Sequence, residues 1–237
     1  MIMTPQQFIE QFREAFGEAA PLPIAIWYDD VAVATGCRVP RCMIGARRKV
    51  CGGEPLTLTA ENVECGGGGL YTAFRPMPER VPLFVSETEH YKSTPEMVRD
   101  YIAGMGIEPA VKPFLNFVRV DKLPSWDRVE AVLFFATPDM LSGLCTWAYY
   151  DNNAADTVVA PFASGCASAI TFATAENRRR GNRCFLGMFD ISARPLVPRD
   201  ELSFAVPMSR FSTMLSTMPD SALYQRAFAV IRRRINK

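Results

Sequence analysis

The sequence predicts an α+β domain, or a mixed α/β one: a mixed β-sheet with helices packed around it, the whole of residues 1–237 forming a single compact unit. Three observations point there. Helix starts are marked by three Thr-Pro pairs (Thr4-Pro5, Thr94-Pro95, Thr137-Pro138), each followed by apolar residues at helical spacing. Between the helical patterns lie short apolar runs bounded by Gly, Pro, Asn or Asp, as strands are. The two kinds of element alternate without a regular βαβ period, which disfavours a Rossmann unit.

In chain order, "TPQQFIEQFREAF" sets Thr4 as N-cap, Pro5 in the first helical position and Gln7 for a capping box, with Phe8, Ile9, Phe12 and Phe16 on one face. Residues 21–30, "PLPIAIWYDD", read as a buried strand ending in two acids, and 41–50, "RCMIGARRKV", as a short helix with a basic face. "PLTLT" (55–59) alternates like a strand and leads through "AENVE" into four consecutive glycines, Gly66 to Gly69. Three prolines in 75–84, "RPMPERVPLF", suggest an extended arm or loop, the nearest thing to a boundary. "STPEMVRDYIAGMG" (93–106) is a helix that stops at Gly106, and strands follow at 114–120 and 130–136. The helix of 137–150, a short strand at "TVVAPF", a helix over 165–180 and strands at 183–190 and 201–207 come next. Two helices close the chain, the first marked by Phe211, Met214, Leu215 and Met218, the second by Tyr224, Ala227, Phe228, Ile231 and Ile235. The methionine-rich stretch 208–218 serves equally as core or as cover for a subunit interface, so a homo-oligomer stays open.

Hydrophobic residues make up 49% and charged residues 22%, enough for a sizeable core. A net charge of +1 lacks the field of a dedicated nucleic-acid binder; the basic runs "RRRGNR" (178–183) and "RRRINK" (232–237) read as solvated or helix-capping charges. No run of about 18 apolar residues and no basic-then-apolar leader is visible, so the expectation is a cytoplasmic protein with no membrane span. Its seven cysteines (37, 42, 51, 65, 145, 166, 184) should then be reduced thiols, used in burial, metal binding or nucleophilic chemistry.

His90 is the only histidine, which excludes zinc sites built on two or more histidines of one chain. No Walker loop, GxSxG elbow or strand-following GxGxxG occurs. In "ECGGGGLY" (64–71) the glycine amides could form a tight turn, a nest for an anion or a close approach to a ligand, with Arg75 and the run Arg47, Arg48, Lys49 as charge for an anionic one. The cysteines are too widely spaced for paired CxxC ligands, so on spacing alone they are buried apolar residues or a site assembled by the fold.

The segments "RCMIGARR", "LTLTAENVECGGGG", "GCASAI", "NRCFLGMFDISARP" and "DELSFAVP" together resemble the family known as domain of unknown function 169, over most of the chain. The resemblance implies that Cys42, Cys65, Cys166 and Cys184 occupy its four recurring cysteine positions, while Cys37, Cys51 and Cys145 do not. Four thiolates are what a closed zinc site or an iron–sulfur cluster requires. The glycine run stands where the family more usually has Cys-Pro-Gly-Gly-Ala, and Arg194 arrives later than the usual Gly-x-Arg.

The leading expectation is therefore a pocket for a small ligand or a metal or iron–sulfur centre. Cys42, Cys65, Cys166 and Cys184 line it, Gly66, Gly67, Gly68 and Gly69 give close backbone access, and Asp190 and Arg194 orient the ligand. A metal-free thiol enzyme is the alternative, with Cys65 as nucleophile and His90, Glu64 or Asp190 as base. A non-catalytic binding or assembly module, its cysteines only core, is the third.

Overall fold

Thr4 starts the first helix in the way its sequence promises. In α1 (Pro5–Phe16) the Thr4 hydroxyl accepts from the Gln7 amide and the Gln7 side chain accepts from the Thr4 amide, a reciprocal capping box. Phe8, Phe12 and Phe16 are fully buried along one face. The same Thr cap followed by Pro opens α5 (Pro95–Gly104) and α6 (Pro138–Tyr149). The computed structural model describes residues 2–37, 39 and 41–237.

The fold is mixed α+β around one seven-stranded sheet, with strand order β2-β3-β1-β4-β7-β6-β5. Its strands are β1 (Ile24–Asp29), β2 (Leu56–Leu58), β3 (Phe114–Arg119), β4 (Ala131–Ala136), β5 (Val158–Val159), β6 (Cys184–Gly187) and β7 (Leu202–Pro207). Every neighbouring pair is antiparallel except β5 with β6, which is parallel. Successive side chains of a strand point to opposite faces. Ala25 and Trp27 of β1 thus join Phe134, Phe204 and Cys184 on one face, under α1, α6 and α8 (Met208–Thr217). Ile24 and Ile26 join Leu115, Phe117, Leu133 and Phe185 on the other, under the 3-10 turn Met43–Ala46, α2 (Arg47–Cys51) and the helical segment that begins at Cys166. Each fully buried Phe contributes about 1.5–3 kcal/mol, so the aromatic face of Phe8, Phe12, Phe134, Trp147 and Phe211 dominates the burial.

Several expected elements take another form. The four glycines are helical: α3 (Gly66–Tyr71) is capped by Cys65, whose sulfur accepts from the Gly68 amide at 3.4 Å. Thr72 steadies its last turn by donating to the Gly68 carbonyl at 2.7 Å. The proline-rich arm is partly helical, with Pro82 inside α4 (Val81–Leu83), where its missing amide leaves no helical bond unmade. A π-helical turn, Phe84–Thr88, continues it. A second π turn, Ala167–Thr171, precedes α7 (Phe172–Arg178) where one helix over 165–180 was expected. The strand at "TVVAPF" shrinks to two residues, because Pro161 cannot donate to a ladder. The methionines of α8 and its end, Met208, Met214 and Met218, are buried in the core of their own chain. The chain ends in α9 (Arg226–Ile235), which packs on α6 and α1. Among the described residues no helix is long and apolar enough to cross a membrane.

Residues 81–104 form a small lobe beside the sheet. Val98 and Ile102 of α5 meet Leu70 of α3 in an apolar cluster of their own. The space between this cluster and the second sheet face is the site.

Candidate functional site

A cavity of about 220 Å3 opens between the lobe and the sheet-facing layer. Four segments far apart in sequence reach it. Cys42 comes from the entry to the 3-10 turn, Cys65 from the cap of α3, Cys166 from the residue before the second π turn, and Asp190 from the loop after β6. α5 and the first π turn supply the far wall, with Tyr101, Phe84, Glu89 and Tyr91. The cavity has a depth gradient: Cys166 and Asp190 are each 6% exposed, whereas Phe84 is 49% and Phe162 44% exposed at the mouth.

Gly187 of β6 allows this placement, because a Cβ there would collide with Ser168 of the second π turn. The close approach sets Cys166 against the cavity. Ser168 in turn accepts from the Met188 amide at 3.3 Å and donates to the Gly165 carbonyl at 3.1 Å, tying the turn to the loop that carries Asp190. Asp190 accepts from the Gly165 amide at 3.0 Å through one oxygen, and from the Ser192 amide and hydroxyl at 2.9 and 2.7 Å through the other.

Electrostatics unite these groups. Burial pushes the Cys166 thiol well above its ordinary range, and nearby Cys42, Cys65 and Asp190 push it further. Cys42 is raised by burial, with Cys65 and Asp190 adding to it against two backbone hydrogen bonds. Tyr71 is pushed up to about 12 by burial, then by Tyr101, Cys166 and Asp190. Cys42, Cys166 and Tyr71 therefore face the cavity as neutral groups at neutral pH.

The backbone around the cavity is unusual. Both π turns flank it, and such turns are rare and frequent at functional sites. His90, between the wall residues Glu89 and Tyr91, has φ 53, and Met188, two residues before Asp190, has φ 69. Left-handed backbone at non-glycine residues costs about 1–3 kcal/mol and clusters where geometry has a task.

Of the residues singled out in the sequence, Cys42, Cys65, Cys166, Asp190, Gly67 and Gly68 line this cavity, and Gly66, Gly69, Arg194 and Cys184 do not. The four-cysteine arrangement is corrected to three. Cys184 points from β6 to the opposite sheet face, beside Cys145, where burial pushes its thiol up to about 12. Strand parity alone decides this, since Phe185 takes the near face. Among the described residues no group of three or more His, Cys, Asp or Glu is placed to hold a metal ion, so the arrangement does not fit a closed thiolate centre. The Arg194 guanidinium donates to the Arg199 carbonyl at 2.6 Å instead of meeting Asp190. His90 is exposed and is not part of the wall, so no cysteine–histidine pair forms there. Of the glycine amides, those of Gly68 and Gly69 are taken by the sulfur and carbonyl of Cys65.

Sequence reasoning missed the aromatic wall, Tyr71, Tyr91, Tyr101 and Phe162, and the acid Glu89. A second recess of about 390 Å3 lies beside α3, but its single charged group, Arg75, is already engaged with the Val63 and Cys65 carbonyls.

A family model described as Uncharacterised ArCR, domain of unknown function 169, matches residues 18–217. The span includes every residue of the cavity wall and leaves α1 and α9 outside. No curated protein and no solved structure matches the chain.

Proposed function

Because the chain belongs to the family of domain of unknown function 169, we propose its function from the cavity: it binds a small organic molecule there, with the thiols of Cys42, Cys65 and Cys166 in the wall that meets it. One observation carries the reading, the convergence of these thiols and Asp190, from four distant segments, on one partly enclosed space. The volume lies below the ~300–1,000 Å3 of pockets for drug-sized ligands, so the molecule is small. The wall has the usual composition of such sites, apolar and aromatic with a few fixed polar groups. Cys65 as a nucleophile would need a base; with His90 outside the wall, only Glu89 or Asp190 remains, and a binding role is the simpler use of the site.

Cysteine protection tests this. The native protein is treated with iodoacetamide in the presence of pooled fragments of mixed charge, and modification is followed residue by residue by mass spectrometry. Occupancy is expected to slow reaction at Cys42 and Cys65 and to leave Cys37, which does not line the cavity, unchanged. If Cys65 reacts at one rate whatever fragment is present, the cavity is not a binding site.

A further inference from the structure

Asp190 is a buried carboxylate with no cation paired to it among the described residues. It is 6% exposed, and its three hydrogen bonds come from dipoles, the Gly165 and Ser192 amides and the Ser192 hydroxyl. No ion pair among the described residues includes it. Buried charges are ordinarily paired with a charge of opposite sign. A second carboxylate, Glu89, stands in the same wall without an ion pair, and burial and then Asp190 push its pKa up. Among the described residues the only cation lining the cavity is Lys92, whose ammonium lies 4.5 Å from the centre of the Tyr101 ring. That contact shows an aromatic face of this wall accepting an ammonium group. The remaining titratable wall groups are Tyr71, Tyr91, Tyr101 and the three thiols. Among the described residues no arginine lines the cavity to receive an anion.

We infer that the ligand is an organic ammonium ion with a small apolar, preferably aromatic, body. Its cationic group is set against Asp190 and Glu89, and its body lies between the rings of Tyr71, Tyr101, Phe84 and Phe162. The inference rests on the binding role proposed for the cavity and specifies its ligand class. The negative faces of the rings add to the two carboxylates, and the tyrosines, raised by burial, supply them without adding charge. Tyr91 and Phe162 meet edge to face at 6.2 Å, and Tyr101 donates to the Phe162 carbonyl at 2.5 Å, so the aromatic mouth is held in place before a ligand arrives.

The experiment uses three probes of one shape, phenethylammonium, 2-phenylethanol and 3-phenylpropanoate, with calorimetric affinities and protection of Cys42 and Cys65 as readouts. Phenethylammonium should bind about tenfold tighter than the alcohol, with the carboxylate weakest. Glu89→Gln should reduce the ammonium preference severalfold and leave the alcohol unchanged. Lys92→Met, which frees the Tyr101 face and removes the competing cation, should strengthen ammonium binding severalfold. Asp190→Asn should abolish the preference; because it also disturbs the hydrogen bonds from Gly165 and Ser192, Glu89→Gln and Lys92→Met decide the matter if that variant fails to fold. An alcohol or carboxylate that protects the cysteines as well as the ammonium would overturn the ligand class while leaving the binding role intact. Absence of protection by all three, and by the mixed pool as well, would overturn both.

Discussion

The glycine run makes its own sharpest test, because its members are not equivalent. A methyl group on Gly67 would lie 3.8 Å from Tyr71 Cε2 and 3.9 Å from Cys65 Sγ, ordinary van der Waals contact. On Gly68 it would lie 3.0 Å from Val63 Cγ1 and 3.3 Å from Cys65 Cβ, tighter than side chains normally pack. Both residues are helical, so Gly67→Ala should gain the helix propensity of alanine, about 0.5–1 kcal/mol, at the lower end so close to a helix start. Gly68→Ala gains the same and loses about 1–3 kcal/mol to overpacking against backbone-anchored neighbours. For a chain of this size each kcal/mol moves Tm by about 2–4 °C. Gly67→Ala should therefore raise Tm by about 1–2 °C, and Gly68→Ala should lower it by several degrees. Thermal unfolding followed by circular dichroism measures both. The Gly67 methyl also enters the cavity, so fragments should protect Cys65 less well in that variant although it is the more stable protein. A loss of stability in Gly67→Ala would refute the helical account of the run, since a turn or nest would need its glycine.

Gly17, which ends α1 at φ 94, faces the Asn236 side chain; Gly17→Ala meets both left-handed strain and that neighbour and should cost about 1–3 kcal/mol in urea unfolding. Glu176 is buried, which raises its pKa, yet hydrogen bonds from Arg183 outweigh this and hold it below the ordinary carboxylate value of 4.5. Its contribution is thus present above pH 4.5 and lost as pH falls through the lowered value, and Arg183→Met should flatten that part of an acid unfolding curve, at a cost of ~1 kcal/mol at neutral pH. Cys184, pushed up to about 12 by burial, runs the other way: its stabilisation is complete below the ordinary thiol value of 9.0 and fades as pH rises towards 12. The native protein should accordingly leave Cys184 unalkylated at pH 8 while an unfolded control reacts fully. Phe211→Ala, at the centre of the aromatic face, should cost about 3–5 kcal/mol without changing cysteine protection at the cavity.

Much of the scaffold was legible because its signals are local. Thr4, Thr94 and Thr137 cap helices by bonds to residues three positions on, and the strands at 24–29, 114–119 and 131–136 are predominantly apolar. The glycine run was misread for a physical reason: its propensity opposes helix, and what overrides it is a sulfur cap at Cys65 and space that Val63 and Arg75 deny to side chains. Cys42, Cys65 and Cys166 are legible through the family resemblance, and Asp190 as a charged residue within "NRCFLGMFDISARP". The side taken by Cys184 was not legible, since a strand written alone does not say which of its two faces meets which layer. The aromatic wall was hidden for a similar reason. Tyr71, Tyr101 and Phe162 are brought together by the docking of α5 against the loop before the second π turn, a long-range contact that no short window of sequence records.

The ends of the sheet limit how another chain could pair with it. Its outermost strands, β2 and β5, are three and two residues long. A strand edge that short offers few free amides and carbonyls to an incoming chain, which protects against edge-to-edge aggregation and leaves little room for β-augmentation. Apolar surface open to solvent lies away from those edges, and part of it, the half-exposed Phe84 and Phe162, stands at the mouth of the cavity.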